Sequence, residues 1–374
     1  MSEFKAELSK EELQRIQNEV VVPESGLDWL TTHEKPRAIV LAGQPGAGKG
    51  ALVSAARREF NGDILVIDPD RLRGNLPGVR QLQEADPFGW PDETNKSAFK
   101  LANGLRDEGI KRHVNLVIDG SMSDAGNSIR TIEALQKKGY EVEVRAISTH
   151  WLESEQGIDR RFTRQIDRFG VARDVDMDFH NRVYNDLPVN MEKVAEVRGV
   201  QVRIYDRDLN ELYDNRRDVG SPSEVLRETR AGRMEDPEVR QRLSEDWKQQ
   251  QAWHEAMPET IRARQDVSPT TAEALIAGSA ERGKLERATV RAESIGAIDA
   301  PVQAAEPLLL RLDRAGTTAG LAGVAMAAAA YDAKETGERI STAFAQDNPW
   351  ALEGRLYTFK YRCFSTTKNF QNSH

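Results

Sequence analysis

The chain has 374 residues, enough for two domains or for one domain with large appendages. Hydrophobic residues make up 39%, sufficient for a core, while 30% charged residues and a negative mean hydropathy point to a soluble chain. A net charge of −8 argues against a general nucleic-acid binder, and the one cysteine, Cys363, excludes an internal disulfide framework and a cysteine-rich metal site.

The first residues are charged and lead into no apolar run, so no cleavable secretory signal is expected. Residues 316–331 are rich in Ala and Gly and fall short of the ~20 residues a spanning helix needs. A cytoplasmic protein with no membrane span is the expectation, and delivery by a specialised secretion system that reads no such signal is compatible with it.

Residues 1–35 read as a polar helical extension carrying Leu13, Ile16 and Val20, closed by a turn around Pro23 to Gly26. Strand-length apolar runs then alternate with helical patterns. Strands are predicted at 37–42, 63–68, 114–119, 141–147 and 200–205, with helices at 48–60, 94–108, 125–138, 152–169 and 176–197. Parallel strands require crossover connections, so this alternation predicts an α/β fold with a parallel sheet and helices on both faces. The run 38–42 is apolar throughout, as a strand buried on both faces should be. After residue 218 the strand signals stop, and charged helical sequence follows at 221–264 and 270–294. Residues 219–374 are therefore predicted to be mainly helical, with a polar, disordered tail from 362.

Gly43, Gln44, Pro45, Gly46, Ala47, Gly48 and Lys49 follow the first strand directly and open a helix through Gly50 and Ala51. Glycines let backbone N–H groups turn toward phosphates, the helix N-terminus adds positive potential, and the lysine reaches the terminal phosphates. A ligand-free glycine-rich turn would not need the lysine at this register. Gly50 stands where such loops usually carry a Ser or Thr hydroxyl for Mg²⁺. Water, Ser54 one turn on, or Asp68 are the groups left to serve the metal.

In open α/β sheets ligands bind beyond the carboxyl ends of the strands. Asp68 and Asp70 end the second strand and Asp119 ends the third. Beside a transferring phosphoryl, a carboxylate can take up or orient the acceptor's proton; elsewhere the same residues simply cap helices. Arg160, Arg164 and Arg168 recur at i+4 steps, and Arg173 follows a Phe169-Gly170 break. Spacing alone leaves open a solvated face paired with Asp159 and Asp167 or arginines that enter the site.

The ordered set Gly43 to Lys49, Val66 to Asp70, Leu116 to Ser121, Ile158-Asp159-Arg160, Val171-Ala172-Arg173 and Arg203 to Arg207 resembles the zeta toxin family of P-loop kinases from bacterial toxin–antitoxin systems. The resemblance spans residues 36–218 as a kinase domain. It implies that ATP or GTP, with Mg²⁺, phosphorylates the sugar 3′-hydroxyl of UDP-N-acetylglucosamine, blocking cell-wall precursor synthesis, and that an antitoxin or immunity protein obstructs the site. By position it implies that Lys49 binds phosphate, Asp70 activates the acceptor hydroxyl, and Arg160 and Arg173 neutralise the transferring phosphoryl. Asp119, Ser121 and Thr131 fall where the family contacts the sugar nucleotide. The departures lie on the acceptor side: Asp119 replaces the usual Glu, and Ser123 and Phe99 stand where an arginine and an acidic residue are expected. Two other readings stay open, a kinase for another nucleotide-like acceptor and a nucleotide-binding module without turnover.

Overall fold

The computed structural model describes residues 8–297. The predicted tail, the Ala/Gly-rich stretch and Cys363 lie outside the described residues, as do residues 1–7.

Helix α1 (Lys10–Ile16) starts at a capping box in which the Ser9 hydroxyl accepts from the Glu12 N–H and the Glu12 carboxylate accepts from the Ser9 N–H. A π-helical turn, Gln17–Val21, runs on into α2 (Val22–Glu24). Pro23 is thus inside the helical stretch, not in the expected turn, which falls at Ser25 and Gly26, where Gly26 adopts φ 75°. Strand β1 (Arg37–Ala42) leads into α3 (Lys49–Glu59). Strand β2 (Leu65–Ile67) is followed by the short helices α4 (Pro69–Leu72) and α5 (Val79–Ala85), then by α6 (Trp90–Lys111). Strand β3 (Leu116–Ile118), α7 (Ala125–Lys137), β4 (Glu141–Ile147), α8 (Trp151–Phe169), α9 (Met177–Ala195) and β5 (Gln201–Tyr205) complete the alternation.

The sheet has six strands in the order β2-β3-β1-β4-β5-β6, where β6 is Glu211–Asp214. The pairings from β2 through β5 are parallel, and β6, an edge strand beyond the five predicted, is antiparallel to β5. Side chains alternate across a strand, so β1 divides two cores. Ala38, Val40 and Ala42 join residues of α6, α7, α9 and α10 (Pro222–Arg233), while Ile39 and Leu41 join Leu52 and Ala56 of α3. The carboxylate of Glu59, at the end of α3, bonds Arg37 of β1 and Arg145 of β4, which fixes the helix that the glycine loop opens.

Beyond the sheet, α11 (Pro237–Arg262), α12 (Pro269–Glu281) and α13 (Lys284–Ala297) pack on the outer side of α8. Phe162 and Ile166 meet Met257, Ile261 and Leu275, and Leu152 meets Trp247 and Ala288. The break at 234–236 divides the predicted 221–264 helix at Asp236, whose carboxylate caps α11 by accepting from the Glu238 N–H. None of the described helices is long and apolar enough to cross a membrane.

Candidate active site

The loop after β1 is shaped by close backbone packing. Gly43, Gly46 and Gly48 have φ of 147°, 76° and 106°, which residues with a Cβ rarely adopt. A Cβ on Gly46 would lie 2.0 Å from the Ser154 carbonyl, and one on Gly157 would lie 2.5 Å from the Gly46 carbonyl. Loop and α8 therefore meet backbone to backbone. Ala47 is buried, and its carbonyl accepts from the Thr149 hydroxyl at 2.9 Å. Gln44 is also buried, its amide donating to the Thr149 carbonyl at 2.9 Å and to the Ser154 hydroxyl at 3.2 Å. Pro45 is half-buried, and Ala51 continues the helix by donating to the Gly48 carbonyl. The Lys49 ammonium folds back over the loop to the carbonyls of Gly43 (2.8 Å) and Gln44 (3.3 Å). Burial holds its pKa below the ordinary lysine value, opposed by Asp119 and Asp70 and reinforced by Arg161 and Arg173. Gly50 is exposed, with open space where a Cβ would stand.

The strand-end carboxylates divide by environment. Asp68 caps α4, its Oδ1 accepting from the Asp70 N–H at 2.9 Å, and burial together with the charge of Asp70 raises its pKa. Burial works against the charge of Asp70 too, but Arg173 and Arg73 outweigh it and hold this carboxyl below the usual range. Arg173 pairs with Asp70 Oδ2, and Arg73 donates to Oδ1 at 3.0 Å. Arg73 also fastens Asp70 to α6 through the Thr94 hydroxyl (2.6 Å), the Pro91 carbonyl and Asn95. The Oδ1 of Asp119 is shut off from solvent and has no hydrogen-bond partner among the described residues. Burial raises the pKa of Asp119 against the pull of Lys49, with Asp68 and Asp70 adding to the rise.

Of the arginines on α8, it is Arg161 that joins this group. Its Nε and one Nη are buried without a hydrogen-bond partner among the described residues. Burial and Arg173 push its pKa down to about 10 against the pull of Asp70, Asp174 and Asp119. Arg160 instead lines a separate cavity of about 330 Å³ with Glu153, Gln156, Arg207, Arg242 and Asp246. Arg164 and Arg168, which continue the i+4 stripe from Arg160, are exposed. The sequence does hold a signal for Arg161: Gly157 is the glycine of α8, marking the face that touches the loop, and Arg161 lies one turn on.

The segment bearing Arg173 is tied down on three sides. The Arg173 N–H donates to Gln165 Oε1 (2.8 Å), the Trp90 indole donates to the Ala172 carbonyl (2.9 Å), and buried Asp174 pairs with Lys284 (2.8 Å) and Arg282 (3.3 Å). The Ser121 carbonyl accepts from the Gly43 N–H at 3.3 Å, which places that residue against the loop. Met122 beside it is buried at φ 56°, a strained backbone held by Asn190, whose amide donates to its carbonyl. Thr131 is half-buried on α7, its hydroxyl turned back to the Asn127 carbonyl. Phe99 is 54% exposed on α6, outside the core.

The family model described as Zeta toxin matches residues 25–218, just over half of the chain. The chain belongs to the zeta toxin family. Toxin PezT of Streptococcus pneumoniae serotype 4 is 30% identical over 197 residues, covering 52% of this chain and 78% of that protein. Toxin zeta of Streptococcus agalactiae is 30% identical over 235 residues, covering 60% and 80%. A solved structure from the PezAT chromosomal toxin–antitoxin system of Streptococcus pneumoniae superposes with a TM-score of 0.59 at 24% identity, over 66% of this chain and 99% of that one. The zeta toxin match begins within the N-terminal segment and stops short of α10, so Arg230, Arg282 and Lys284 reach the site from beyond it.

Proposed function

We propose that the chain transfers the terminal phosphoryl of ATP or GTP to the sugar 3′-hydroxyl of UDP-N-acetylglucosamine, and so stops cell-wall precursor synthesis. The observation that carries the kinase reading is the charged cluster beside the glycine loop: Lys49, Asp70, Arg161 and Arg173 act on one another electrostatically, and two buried nitrogens of Arg161 lack a partner among the described residues. Buried donors of this kind are ordinarily satisfied, so they suit a phosphoryl group. The acceptor is supported by membership of the family.

In this reading Lys49 draws the terminal phosphates onto the loop, and Arg161 and Arg173 offset charge on the transferring oxygens. The acceptor oxygen bonds to the γ-phosphorus, its proton passes to the Asp70 carboxylate, and the bond to the β–γ bridging oxygen breaks. The nucleoside diphosphate leaves with that electron pair. Asp70 is held ionised by two arginines, so it orients the hydroxyl more than it pulls the proton, which suffices for a loose transition state.

Mg²⁺ commonly takes one or two carboxylates along with phosphate oxygens and water. The partnerless Asp119 oxygen with Asp68 nearby fits that need, although no group of three or more His, Cys, Asp or Glu suited to a metal occurs among the described residues. Asp119 and Asp68 would hold the ion, which would neutralise charge on the β- and γ-phosphates. Ser54 is engaged elsewhere, its hydroxyl donating to the Gly50 carbonyl at 3.0 Å.

The deciding experiment is mass spectrometry of UDP-N-acetylglucosamine after incubation with protein, ATP and Mg²⁺. A gain of one phosphate is expected. Transfer to other nucleotides or dinucleotides alone would replace the acceptor, and nucleotide binding without any transfer would leave a non-catalytic module. An antitoxin or immunity protein covering the nucleotide site belongs to the same proposal, and its binding should compete with ATP.

A further inference from the structure

Helix α10 lies past residue 218, where the family match ends, yet it sends a cation to the phosphate loop. Arg230 is 1% exposed. One guanidinium nitrogen donates to the Tyr184 carbonyl at 2.8 Å, the other reaches Gln44 Oε1 at 3.3 Å, and the guanidinium carbon stands 4.1 Å from the centroid of the Tyr184 ring. The Gln44 amide is thereby used at both ends: its oxygen faces Arg230, and its nitrogen faces the Thr149 carbonyl and the Ser154 hydroxyl. Arginine has no acceptor, so it also fixes which way the amide points.

Two histidines complete the cluster, and neither supplies the charge. Burial, with the charge of Arg230 behind it, lowers His150 to about 3. His180, hydrogen-bonded to the Ser154 hydroxyl at 2.8 Å, is lowered by burial against Asn181 and Glu155, with Arg230 and Arg287 adding to the fall. Both rings are neutral near pH 7. An apolar side chain of similar volume would fill this space at lower desolvation cost, so the polar fork points to a demand of the loop. Gln44 is the second residue of that loop. Anchoring its side chain beneath fixes the backbone whose N–H groups face the phosphates, and a buried cation under the loop adds attraction for an anion.

We propose that Arg230 is a positioning residue for the phosphate loop, acting through Gln44, so that α10 is a working part of the nucleotide site. The inference rests on the loop binding nucleotide. It is tested in the full chain with a fluorescent nucleoside triphosphate, titrating the parent, Arg230→Lys, Arg230→Met, Gln44→Ala and the double variant Gln44→Ala/Arg230→Met, with thermal midpoints alongside. Binding by the parent establishes the loop as a nucleotide site, and its absence would overturn that reading and this inference with it. We expect affinity to fall about tenfold in Arg230→Met and in Gln44→Ala, and only several-fold in Arg230→Lys, which keeps the charge but not the fork. The double variant should be no weaker than the worse single one, because both remove the same link. In turnover assays the loss should fall on KM for the donor, with kcat within about twofold of the parent. Should Arg230→Met fail to fold, Arg230→Lys and Gln44→Ala decide. Unchanged affinity in those two, or losses that add in the double, would make Arg230 a core-packing residue and overturn the proposal.

Discussion

Between Ala42 and Lys49 the backbone carries its own mark in the sequence, three glycines at positive φ and a lysine that folds back onto carbonyls five and six residues away, even though Thr149 and Ser154 also brace it from afar. The helices after residue 218 act on the same site over great sequence distance. Arg230 meets Gln44 across 186 positions, and Lys284 meets Asp174 across 110. A local device announces itself as a motif, because its geometry requires particular residues at particular spacings. A long-range brace does not, because any helix face carrying one buried cation reads like an ordinary amphipathic surface. Charged helical sequence therefore concealed two of the contacts that hold the loop and the arginine segment.

The local half of this comparison breaks most sharply at Lys49. Lys49→Ala should abolish transfer, lowering kcat/KM by about three orders of magnitude or more, and should relieve any growth inhibition on expression. The thermal midpoint should hold, since burial already works against this charge in the folded chain. Growth inhibition that persists in this variant would trace the harm to another part of the molecule.

Arg161 and Arg160 offer the next contrast, two adjacent arginines that leave one helix about 100° apart. Arg161→Ala should cost about 10²–10³-fold in turnover, the scale of lost transition-state charge stabilisation, while Arg160→Ala should cost no more than several-fold. The pKa of Arg161 supplies a second readout. Its cation is intact at neutral pH and is lost as pH rises through about 10, so triphosphate affinity in the parent should fall over that range. Arg161→Ala should lack that component of the fall. Larger damage at Arg160 would return the catalytic role to the residue that position within the family pattern favours.

Lys284 tests the long-range half. Lys284→Met removes one of the two cations on buried Asp174, next to Arg173, and should lower kcat about tenfold with little change in donor KM. The thermal midpoint should drop as well, because the buried carboxylate keeps only Arg282. Adding Asp174→Asn should recover stability without recovering kcat if the clamp positions Arg173, and should leave kcat untouched throughout if it merely holds the helices together.

How much the sequence revealed follows the same division. The fully apolar run of β1, the loop and β4 were legible because each is a continuous signal, and the parallel order followed from the alternation. Strand β6 was not, since Glu211–Asp214 begins and ends on acidic residues and shows no apolar alternation. Strands β2 and β3 proved shorter at both ends than the predicted 63–68 and 114–119, being confined to Leu65–Ile67 and Leu116–Ile118. The strand-end carboxylates could be found by position, but only packing shows that Asp70 is clamped by arginines while Asp119 is left without a partner. Arg160, not Arg161, is picked out by position within the family pattern, and i+4 spacing alone leaves the arginines of α8 undecided, because only packing shows which of them faces the loop.

The smallest expected effect concerns Gly50, where the loop departs from its usual pattern. A Cβ there meets nothing within 4 Å, and the position lies in the first turn of α3, so Gly50→Thr should fold normally and gain a few tenths of a kcal/mol in helix propensity. A hydroxyl at this place would face the metal that Asp119 and Asp68 are proposed to hold, adding one protein ligand where a water otherwise stands. One hydrogen-bond-scale contact is worth about 1 kcal/mol, so the Mg²⁺ concentration for half-maximal turnover should fall several-fold. Donor affinity measured without Mg²⁺ should not change, because the loop backbone and Lys49 are untouched. If instead Mg²⁺ dependence stays the same while Asp119→Asn raises the requirement steeply, the carboxylates already complete the shell, and the glycine is a tolerated loss. If both variants leave Mg²⁺ dependence unmoved, the metal is held by groups other than these carboxylates, and the assignment of Asp119 reverts to the acceptor side.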